Sequence, residues 1–502
     1  MLNAHQQRAV DHDSGHLLIV AGPGTGKTHT LTRRIQRVLK KNNPAGGVLA
    51  ITFTRKAAGE MTQRLKKLVA EQDLRRCFVG TFHQWGVMVL KTTQSVRLLT
   101  ENEADGLAAR LWPDKRAAQR KAILHQIAYW KGVHFDEDPP RTVRDYNAAL
   151  SEEGLMDFDD VILRVIERLR LDEALRRRYQ QRFPYIFVDE YQDINRAQRV
   201  LLKTLIGPQS TLTAIGDPCQ AIYGFRGGDL THFEAFARDF PNATVLALAD
   251  NYRCATHILQ ASQQVMAPQA SPVAYEIVAR VCEQGRLILK TTSNDKSEAA
   301  YVAREIERLI GGWHLLGGQR VDEVPDMPSS PMGFGDIAVL YRLNAQRFVL
   351  QKALEQLGIP YQVLGVRPDR KAGSTPEEDL YDACEDSTSW EAEKVALMSL
   401  HAAKGLEFSC VFIVGCEDGI LPLRLDGRSC DLDEERRLFY VGMTRAKQRL
   451  YLVRAGKRVL YGRCQQNQAS PFLRDIEESL KTYAPKSRLK PVRKKEHQMT
   501  LF

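Results

Sequence analysis

Residues 21–28, AGPGTGKT, place three glycines ahead of a lysine and a threonine, a combination that can bind phosphate. The segment follows the short apolar run HLLIV (16–20) and precedes a stretch of helical periodicity. We therefore expect a strand, a tight loop and the first turn of a helix. Gly22, Gly24 and Gly26 allow the backbone to bend closely around an anion, so that its N–H groups point inward. The pattern predicts a loop that holds the phosphates of a nucleoside triphosphate.

Side chains suited to the chemistry of that phosphate stand at two places. Lys27 would reach the β- and γ-phosphates, Thr28 would bind Mg²⁺, and the helix N-terminus adds a favourable field. The run YIFVDE (185–190) ends on Asp189 and Glu190, at the end of an apolar strand. Asp189 would hold Mg²⁺ through its hydration shell, and Glu190 would orient and deprotonate the attacking water. Together these residues predict nucleoside triphosphate hydrolysis.

The composition limits the class of protein. A chain of 502 residues is too long for one compact core, so at least two domains are expected. The 43% hydrophobic and 26% charged content is typical of a soluble globular protein, and no apolar run approaches the roughly 20 residues that span a bilayer. Asp11, His12 and Asp13 precede the first apolar run, which is unlike a secretory signal. We therefore expect a cytoplasmic protein with no membrane partner.

Charge and cysteine content are less specific. The net charge of +10 is a modest excess that permits a polyanionic partner without requiring one. The nine cysteines include no C-x-x-C pair and their spacing fits no zinc site, so free thiols in a reducing compartment are expected.

Short apolar runs alternate with helical stretches along most of the chain. Fully apolar runs of this kind predict parallel strands covered on both faces, and hence α/β sheet domains. Between Trp85 and Arg182 the sequence is helical and charge-rich, which predicts a helical subdomain inserted into the first sheet domain. Strand-like runs resume after residue 253 and predict a second sheet domain, whereas the segment from Pro485 has too few apolar residues to pack. The runs interpreted as strands are 16–20, 48–53, 185–190, 211–217, 244–248, 286–291, 336–342, 395–400, 410–415 and 449–455.

The segment GDPCQAIYGFRG (216–227) indicates how the energy of hydrolysis would be used. It follows another predicted strand, and Gln220 could contact the γ-phosphate. Tyr223 and Phe225 flank a glycine and precede Arg226, a combination suited to stacking on unpaired bases. A buried aromatic turn is the simpler interpretation, and it is stronger for Tyr223 than for Phe225.

Eleven segments of the sequence occur in the order found in one helicase family. From Leu2 to about Leu450 the chain resembles UvrD/Rep-type superfamily 1A DNA helicases. The resemblance implies two RecA-like parallel-sheet domains, 1A and 2A, with a helical insertion, 1B, in the first and little of the usual insertion 2B in the second. The expected bounds are 1–85 and 183–247 for 1A, 86–182 for 1B, 248–365 and 391–484 for 2A, 366–390 for a short loop replacing 2B, and 485–502 for a disordered basic tail. The matching segments are LNAHQQRAV, AGPGTGKT, ITFTRKAAGEM, GTFHQWG, DFDD, VDEYQD, GDPCQAIYGFRG, NYR, VLYRLNAQ, LHAAKGLEF and EERRLFYVGMTRAKQRL.

The same resemblance implies roles around a nucleotide, which it identifies as ATP with Mg²⁺. Gln6 would read the adenine edge, Tyr252 would stack on the adenine, and Glu407 would bond the ribose. Arg253 and Arg445 would reach the γ-phosphate from the second lobe, which completes the charge stabilisation only when the cleft shuts. The expected nucleotide-binding residues are Gln6, Gly22, Gly24, Thr25, Gly26, Lys27, Thr28, His29, Tyr252, Gly405 and Glu407. The expected catalytic residues are Lys27, Glu190, Gln220, Arg253 and Arg445, and the expected metal ligands are Thr28 and Asp189.

Single-stranded DNA, or a junction of single and double strands, is implied as the partner. The strand would lie across both lobes, with Phe225 stacking on bases and His401 linking the DNA groove to the nucleotide site. Such a groove combines stacking with phosphate contacts and reads little sequence. The resemblance also implies 3′→5′ movement along the strand. The expected DNA contacts are Phe53, Thr54, Arg55, Thr81, Phe82, His83, Tyr223, Phe225 and His401.

Three departures from the family pattern change what is expected. His29 follows the loop threonine where arginine is usual, which weakens adenine binding rather than abolishing it. Arg55 replaces the usual asparagine and adds a charge near the DNA path. The stretch between residues 365 and 397 is too short for 2B, a subdomain that contacts duplex in the family. The ATPase and strand-tracking parts are therefore expected to be intact, while processive unwinding by the isolated chain is not assured.

The leading hypothesis is an ATP-dependent 3′→5′ single-stranded DNA translocase and helicase in DNA repair or replication. One alternative is a translocase that displaces proteins without processive unwinding, and another is an ATP-gated DNA-binding module that does not step. The terminal QMTLF (498–502) also resembles the bacterial sliding-clamp-binding pentapeptide. Gln498 would then lie at the mouth of the clamp pocket, with Met499, Leu501 and Phe502 inside it, although an unattached tail is the simpler interpretation.

Overall fold

A computed structural model describes residues 2–41, 46–269, 276–311, 332–365, 393–425 and 430–484. Two large β-sheets organise these residues, one of six strands and one of seven. We call the first sheet and its helices the first lobe, and the second sheet and its helices the second lobe. The prediction of an α/β protein built on two parallel sheets is confirmed.

The six strands of the first sheet are β1 (Leu17–Ala21), β2 (Val48–Thr52), β3 (Cys77–Thr81), β4 (Tyr185–Val188), β5 (Thr211–Gly216) and β6 (Thr244–Leu248). They lie in the order β3-β2-β4-β5-β1-β6, and every neighbouring pair is parallel. Because all strands run in one direction, their carboxyl ends meet at a single edge of the sheet. The phosphate loop after β1 and the carboxylates after β4 are brought together at that edge.

Helices of the first half of the chain connect and cover these strands. They are α1 (Ala4–Asp11), α2 (Lys27–Lys40), α3 (Arg55–Lys66), α4 (Glu71–Leu74), α5 (Phe82–Leu90), α6 (Glu101–Leu111), α7 (Ala117–Val133), α8 (Arg141–Glu152), α9 (Phe158–Leu171), α10 (Glu173–Arg182), α11 (Arg196–Leu205), α12 (Thr231–Glu234) and α13 (Phe236–Asp239). Several begin at a side chain that accepts a bond from the first turn, as Thr54 does for α3 and Thr81 for α5. Both threonines therefore fix where a strand of the sheet turns into a helix.

The second sheet contains β9 (Arg286–Thr292), β10 (Ile337–Tyr341), β11 (Tyr361–Leu364), β12 (Val395–Ser399), β13 (Phe408–Val414), β14 (Ala446–Ala455) and β17 (Lys481–Tyr483). Their order is β11-β12-β10-β13-β14-β9-β17, and every pair is again parallel. Small pairs are formed by β7 (Asp250–Asn251) with β8 (Val278–Ala279), and by β15 (Arg458–Leu460) with β16 (Arg463–Gln465). The helices of this lobe are α14 (Thr256–Met266), α15 (Asp295–Leu309), α16 (Arg347–Gln356) and α17 (Leu432–Met443).

The apolar strands bury both of their faces. In β1, Leu18 and Val20 belong to one core of the first lobe, whereas Leu17 and Ile19 belong to the core on the opposite side of the sheet. Strands of the second sheet divide their side chains between two cores in the same way. Burial on both faces is why these strands are apolar without alternation, and each of the ten predicted runs contains a strand.

The helical stretch predicted between residues 86 and 182 packs in two parts. Helices α6, α7 and α8 share a separate apolar cluster that includes Leu107, Ile127 and Tyr146. Helices α9 and α10 instead contribute Val161, Val165 and other residues to the core of the first lobe. The last two helices of the stretch therefore form part of the body of the first lobe, since their apolar side chains pack on its sheet.

Within the described ranges, every helix is too short or too polar to cross a bilayer.

Trp85 is the largest fully buried side chain of the molecule as described, and it packs edge-on against Tyr179 with ring centroids 5.6 Å apart. Replacement of Trp85 by alanine is expected to lower the free energy of unfolding of the first lobe by about 3–5 kcal/mol, because a large cavity is left in its core. Leu171 at the end of α9 is 77% exposed, and Leu171→Ala is expected to change it by less than about 0.5 kcal/mol. Denaturant unfolding monitored by far-ultraviolet circular dichroism measures both. Equal effects of the two substitutions would contradict the packing described.

Candidate functional site

The glycine-rich segment forms a closed turn between β1 and α2. Gly24 and Gly26 have φ angles of +67° and +83°, which residues with a side chain rarely adopt. The Thr25 hydroxyl donates to the carbonyl of Gly22 at 2.8 Å. The Lys27 ammonium donates to the carbonyls of Ala21 at 3.0 Å and Gly22 at 3.3 Å, so the lysine lies across the loop. Thr28 follows it in the first turn of α2.

Helix α1 contacts this loop through the side chain of Gln6. The Gln6 amide donates to the carbonyl of Thr25 at 2.9 Å, and Gln6 also completes a reciprocal cap with Asn3 at the start of α1. A Cβ on Gly26 would lie 2.7 Å from the Gln6 amide nitrogen. A glycine is therefore required here both by the backbone angle and by the close approach of Gln6.

Two carboxylates follow β4 at the same edge of the sheet. Glu190 has a φ of +52°, and its N–H donates to the carboxylate of Asp189 at 3.0 Å. Burial, together with the neighbouring charge of Glu190, raises the pKa of Asp189 to about 7. Burial also opposes ionisation of Glu190, but the ammonium groups of Lys404 and Lys27 outweigh it and hold the pKa of Glu190 below its usual value. Near neutral pH, Glu190 is therefore ionised, whereas Asp189 is close to its point of ionisation.

The surroundings of Asp189 fit a cation. Its side chain is 7% exposed, and among the described residues its carboxylate forms no ion pair. The charges of Lys27 and Lys404 offset the burial of this carboxylate only in part, and a divalent metal ion would relieve the remaining cost. Thr28, whose hydroxyl lies in the first turn of α2, supplies an oxygen of the kind that Mg²⁺ prefers. These residues are compatible with the predicted metal site.

A polar chain extends from the carboxylates to the next strand end. The Gln192 amide donates to Glu190 at 2.5 Å, and its oxygen accepts from the N–H of Asp217 at 3.0 Å. The Gln220 amide donates to the carboxylate of Asp217 at 2.6 Å. Three hydrogen bonds, through Gln192 and Asp217, therefore connect Gln220 to Glu190. Gln192 and Asp217 were not among the predicted site residues, although both lie in segments that the resemblance singled out.

The second lobe contacts the loop directly. The Asn251 amide donates to the carbonyl of Pro23 at 2.6 Å, and the N–H of Tyr252 donates to the carbonyl of Gly24 at 2.9 Å. A Cβ on Gly24 would lie 2.6 Å from the Cβ of Arg253. The loop carbonyls are thus bonded by the segment that begins the second lobe, and Asn251 was not predicted to take part.

Both predicted arginines lie near the junction of the phosphate loop with the second lobe, which we call the crevice. Arg253 pairs with Glu407 at 2.7 Å, and Glu407 also pairs with Lys447 at 2.9 Å. Arg445 is buried and donates to the carbonyls of Val441 at 2.9 Å and Leu406 at 3.2 Å. Burial, followed by the charge of Arg253, lowers the pKa of Arg445 to about 10.

The charges of both lobes act together on the loop lysine. Burial lowers the pKa of Lys27, the carboxylates of Glu190 and Asp217 oppose that effect, and the charges of Arg253 and Arg445 add to it. The charges of Lys27 and the two arginines therefore interact across the junction of the lobes. A group with several negative charges is what this concentration of cations and loop N–H groups would stabilise.

Three other residues predicted to bind the nucleotide differ in their surroundings. The ring of Tyr252 is 51% exposed, and its hydroxyl accepts from the Asn3 amide at 2.9 Å. His29 lies in the first turn of α2, where burial and then Arg33 lower its pKa. Gly405 has a φ of +84°, with open space where a Cβ would project. The half-exposed Tyr252 ring leaves a flat apolar surface beside the loop.

Lys404 joins the two lobes beneath the crevice. Its ammonium pairs with Asp193 and donates to the carbonyl of Gln220 at 2.9 Å. It also lies 3.9 Å from the carboxylate of Glu190 and 5.0 Å from the centre of the Tyr223 ring. One buried cation of the second lobe thus touches the carboxylates and the aromatic segment of the first.

Aromatic rings continue from this point along the junction of the lobes. Phe53 stacks on Tyr223, with centroids 4.8 Å apart and an interplanar angle of 19°. The Phe225 ring meets His401 edge-on at 5.7 Å, and the guanidinium of Arg226 lies over Phe225 at 5.8 Å. Burial and nearby cations keep the pKa of His401 well below its usual value, so its imidazole is neutral. The four aromatic side chains form one continuous group.

The remaining predicted strand contacts differ in exposure. Phe82 is 3% exposed and packs in the core of the first lobe, so its ring does not face solvent. Arg55 is exposed at the start of α3. His83 meets Phe158 edge-on at 5.8 Å, and burial followed by Arg55 lowers the pKa of His83 to about 4. Phe158 is 45% exposed and was not predicted, although the segment DFDD that contains it was noted. The terminal residues Gln498, Met499, Leu501 and Phe502 lie outside the described residues.

A phosphate loop, two carboxylates and two arginines from a facing sheet define a two-lobed P-loop nucleoside triphosphatase. The family model of the UvrD/REP helicase N-terminal domain matches residues 2–105 and 114–241, and that of the UvrD-like helicase C-terminal domain matches 246–367 and 377–457. The chain therefore belongs to the UvrD/Rep helicase family, as the motif resemblance predicted.

Curated relatives agree with this assignment over most of their length. The chain is 27% identical to ATP-dependent DNA helicase PcrA of Bacillus subtilis and 27% identical to ATP-dependent DNA helicase UvrD1 of Mycobacterium leprae, in each case over 95% of this chain and 86% of the relative. It is 28% identical to UvrD1 of Mycobacterium tuberculosis, over 95% of this chain and 85% of the relative. The alignment with PcrA has 656 positions, and 95% of 502 residues is about 477, so about 179 positions of the alignment have no counterpart in this chain. The expected shortening relative to the family agrees with this difference.

Gly24 offers a test of the contact between the loop and the second lobe. Gly24→Ala is expected to lower the free energy of unfolding by at least about 1–2 kcal/mol, because the positive φ is strained and the new Cβ would meet Arg253. Gly59→Ala is the matched control, since Gly59 lies exposed within α3 with nothing near its Cβ position, and it is expected to be stabilising by about 0.5–1 kcal/mol. Thermal melting of the nucleotide-free protein measures both. A neutral Gly24→Ala would show that the lobes do not meet at this loop.

Proposed function

We propose that the protein is an ATP-dependent 3′→5′ single-stranded DNA translocase and helicase that acts in DNA repair or replication. The observation that carries the proposal is the Lys404 ammonium, which links the carboxylates of the first lobe to the aromatic segment at Tyr223. A change at the nucleotide can reach the strand-binding residues through this one contact. The 3′→5′ direction of movement and the role in DNA repair or replication are inferred from membership of the helicase family.

The proposed nucleotide site uses residues from both lobes. The N–H groups of the loop and Lys27 bind the phosphates, while Arg253 and Arg445 neutralise charge that develops during cleavage. Tyr252 presents a half-exposed ring for the adenine, with Gln6 and His29 near the same end of the loop.

Hydrolysis needs a base for the attacking water and a counter-charge for the phosphates. Glu190 is the ionised carboxylate of the pair and is oriented by Gln192, so it is suited to accept the proton of the water. Asp189 and Thr28 would hold Mg²⁺, which supplies charge neutralisation at the phosphates when bound. Through its bond to Asp217, Gln220 connects the hydrolysis site to the segment 221–227 that follows it.

The strand-binding part of the proposal uses an aromatic group in which Phe53 and Phe225 are partly exposed, whereas Tyr223 and His401 are buried and pack against them. Phe53, Tyr223, Phe225 and His401 form the aromatic group at the junction of the lobes. Phe158, which is 45% exposed and stands edge-on to His83, is a separate ring of the first lobe. We call these five side chains the strand-binding face. Stacking on such rings tolerates every base, as a motor that travels along DNA requires. Phe82 is buried in the core of the first lobe and is therefore left out of this face.

Closure of the crevice provides the movement. Contacts between the lobes involve carbonyls of the loop on one side and Lys404 on the other, so nucleotide binding and strand binding both act on the same junction. Arg437 adds a further contact by donating to the carbonyl of Ala221 at 2.7 Å. Repeated closing and opening at this junction would displace a strand held across it.

The decisive experiment is ATPase activity titrated with oligonucleotides of increasing length, made of DNA or RNA. A travelling motor is expected to be stimulated more by longer strands, whereas an ATP-gated binding module would show weak stimulation independent of length. Glu190→Gln is expected to reduce turnover at least about 100-fold, because the base is lost, while binding of a fluorescent ATP analogue is retained. Glu60→Gln, at an exposed carboxylate of α3, is the matched control and is expected to retain full activity.

Two further readouts separate the alternatives. Retained turnover in Glu190→Gln would show that another group is the base. Strand displacement measured beside streptavidin displacement distinguishes a helicase from a translocase that only removes proteins. Duplex separation by the isolated chain supports the leading proposal, and streptavidin removal alone supports the translocase.

We also propose that the terminal QMTLF binds a bacterial sliding clamp. The support is the sequence alone: apolar anchors at Met499, Leu501 and Phe502 end a basic segment poor in apolar residues. Removal of residues 498–502 is expected to abolish retention on immobilised clamp and to leave DNA-stimulated ATPase activity intact. Phe502→Ala is expected to weaken retention in the same direction, and unchanged retention of the shortened chain would reject this partner.

A further inference from the structure

Lys131 is a fully buried lysine in the last turns of α7. Its side chain has no exposed surface, and its ammonium donates to Asp157 at 2.8 Å and to Asp160 at 2.7 Å. The ring of Tyr146 covers it at 5.2 Å. A buried charge of this kind is retained only when its partners are well placed, and apolar residues of similar size often stabilise a fold equally well. The ion pairs therefore call for an explanation beyond stability.

The two aspartates form the cap of α9. One oxygen of Asp157 accepts from the N–H of Asp160, and one oxygen of Asp160 accepts from the N–H of Asp157. The other oxygen of each carboxylate accepts from Lys131. The lysine thus fixes the orientation of the whole cap relative to α7, because both halves of the cap bond to one ammonium.

Phe158 directly follows Asp157 and lies, with Asp159, between the two capping carboxylates. It is the first residue of α9, it is half exposed, and its ring stands edge-on to His83. The direction of a side chain at the first helical position follows the direction of the helix start. Contacts that fix the orientation of Asp157 and Asp160 therefore also fix the direction of the Phe158 side chain.

The C-terminal end of α7 also packs against the segment that carries Phe225. A Cβ on Gly227, directly after Arg226, would lie 2.6 Å from the Val133 side chain. The carbonyl of Val133 accepts from the Arg196 guanidinium at 3.0 Å, and a Cβ on Gly132 would lie 2.8 Å from the Asn195 amide. The end of α7 is thus packed between the start of α9 and the segment that carries Phe225.

We infer that Lys131 is a positioning residue for the strand-binding face, holding the start of α9 against α7 so that Phe158 and Phe225 present their rings on one surface. This inference rests on the proposed function, because it assigns the role of Lys131 through rings that are proposed to stack on DNA. Lys131 itself is buried and touches neither strand nor nucleotide.

The test replaces the buried charges without emptying the site. The variant Lys131→Met/Asp157→Asn/Asp160→Asn keeps the volume of the lysine and keeps side chains that cap helices. Its affinity for a fluorescein-labelled oligothymidylate, measured by anisotropy, is expected to fall about fivefold to tenfold, since part of the stacking of one ring is lost. ATPase activity without DNA and the thermal melting midpoint are expected to stay close to those of the unaltered protein.

A double-mutant comparison distinguishes positioning from general weakening. Phe158→Leu alone is expected to weaken binding about tenfold, whereas in the triple variant it is expected to have little further effect. Additive losses, or wild-type affinity in the triple variant, would overturn the inference while leaving the face intact. If Phe158→Leu alone binds DNA normally, the proposed face and the inference fail together.

A milder variant covers the case in which the triple variant does not fold. Asp157→Asn keeps a side chain that caps α9 and leaves Lys131 paired with Asp160, so the fold is expected to be retained. The bond between Lys131 and residue 157 then loses its negative charge. Its affinity for the same oligothymidylate is expected to fall about twofold to threefold, and again less when Phe158→Leu is present. Unaltered affinity would overturn the inference.

Discussion

Bonds to the carbonyls of the phosphate loop are the constraint on which the rest of the structure depends. A loop built to offer N–H groups to an anion leaves its carbonyls pointing away, and those groups must be bonded as well. Gln6 bonds one of them from within the first lobe, whereas Asn251 and Tyr252 bond two from the segment that begins the second lobe. The loop is therefore part of the junction between the lobes, and a ligand on its inner side acts on both.

Lys404 gives this junction a second point of contact. The loop contacts join the lobes at the nucleotide, and Lys404 joins them between the carboxylates and the aromatic segment. Two separate contacts resist rotation of one lobe on the other better than one. They also explain why the residues suited to bind phosphate and the residues suited to stack on bases lie on either side of the same crevice.

The sequence was most informative where function requires a local pattern. The loop, the carboxylates after β4 and ten of the strands followed from apolar runs and from spacing, since each depends on neighbours in the chain. Within the two large sheets, β3, β11 and β17 were not predicted, because their residues are partly exposed and so form no fully apolar run. The packing of α9 and α10 on the first sheet could not be read from their composition, which resembles that of the preceding helices.

Individual roles were harder to assign than segments. Asn251, Gln192 and Phe158 lie within motifs that were quoted, yet their partners are distant in sequence and appear only once the sheets are assembled. Phe82 shows the opposite case, in which a motif residue expected at the surface packs in the core. Gly24 carries a last consequence. Since a Cβ on Gly24 would lie 2.6 Å from the Cβ of Arg253, the lobes can approach no further at this point, and any relative movement from this arrangement must separate them here.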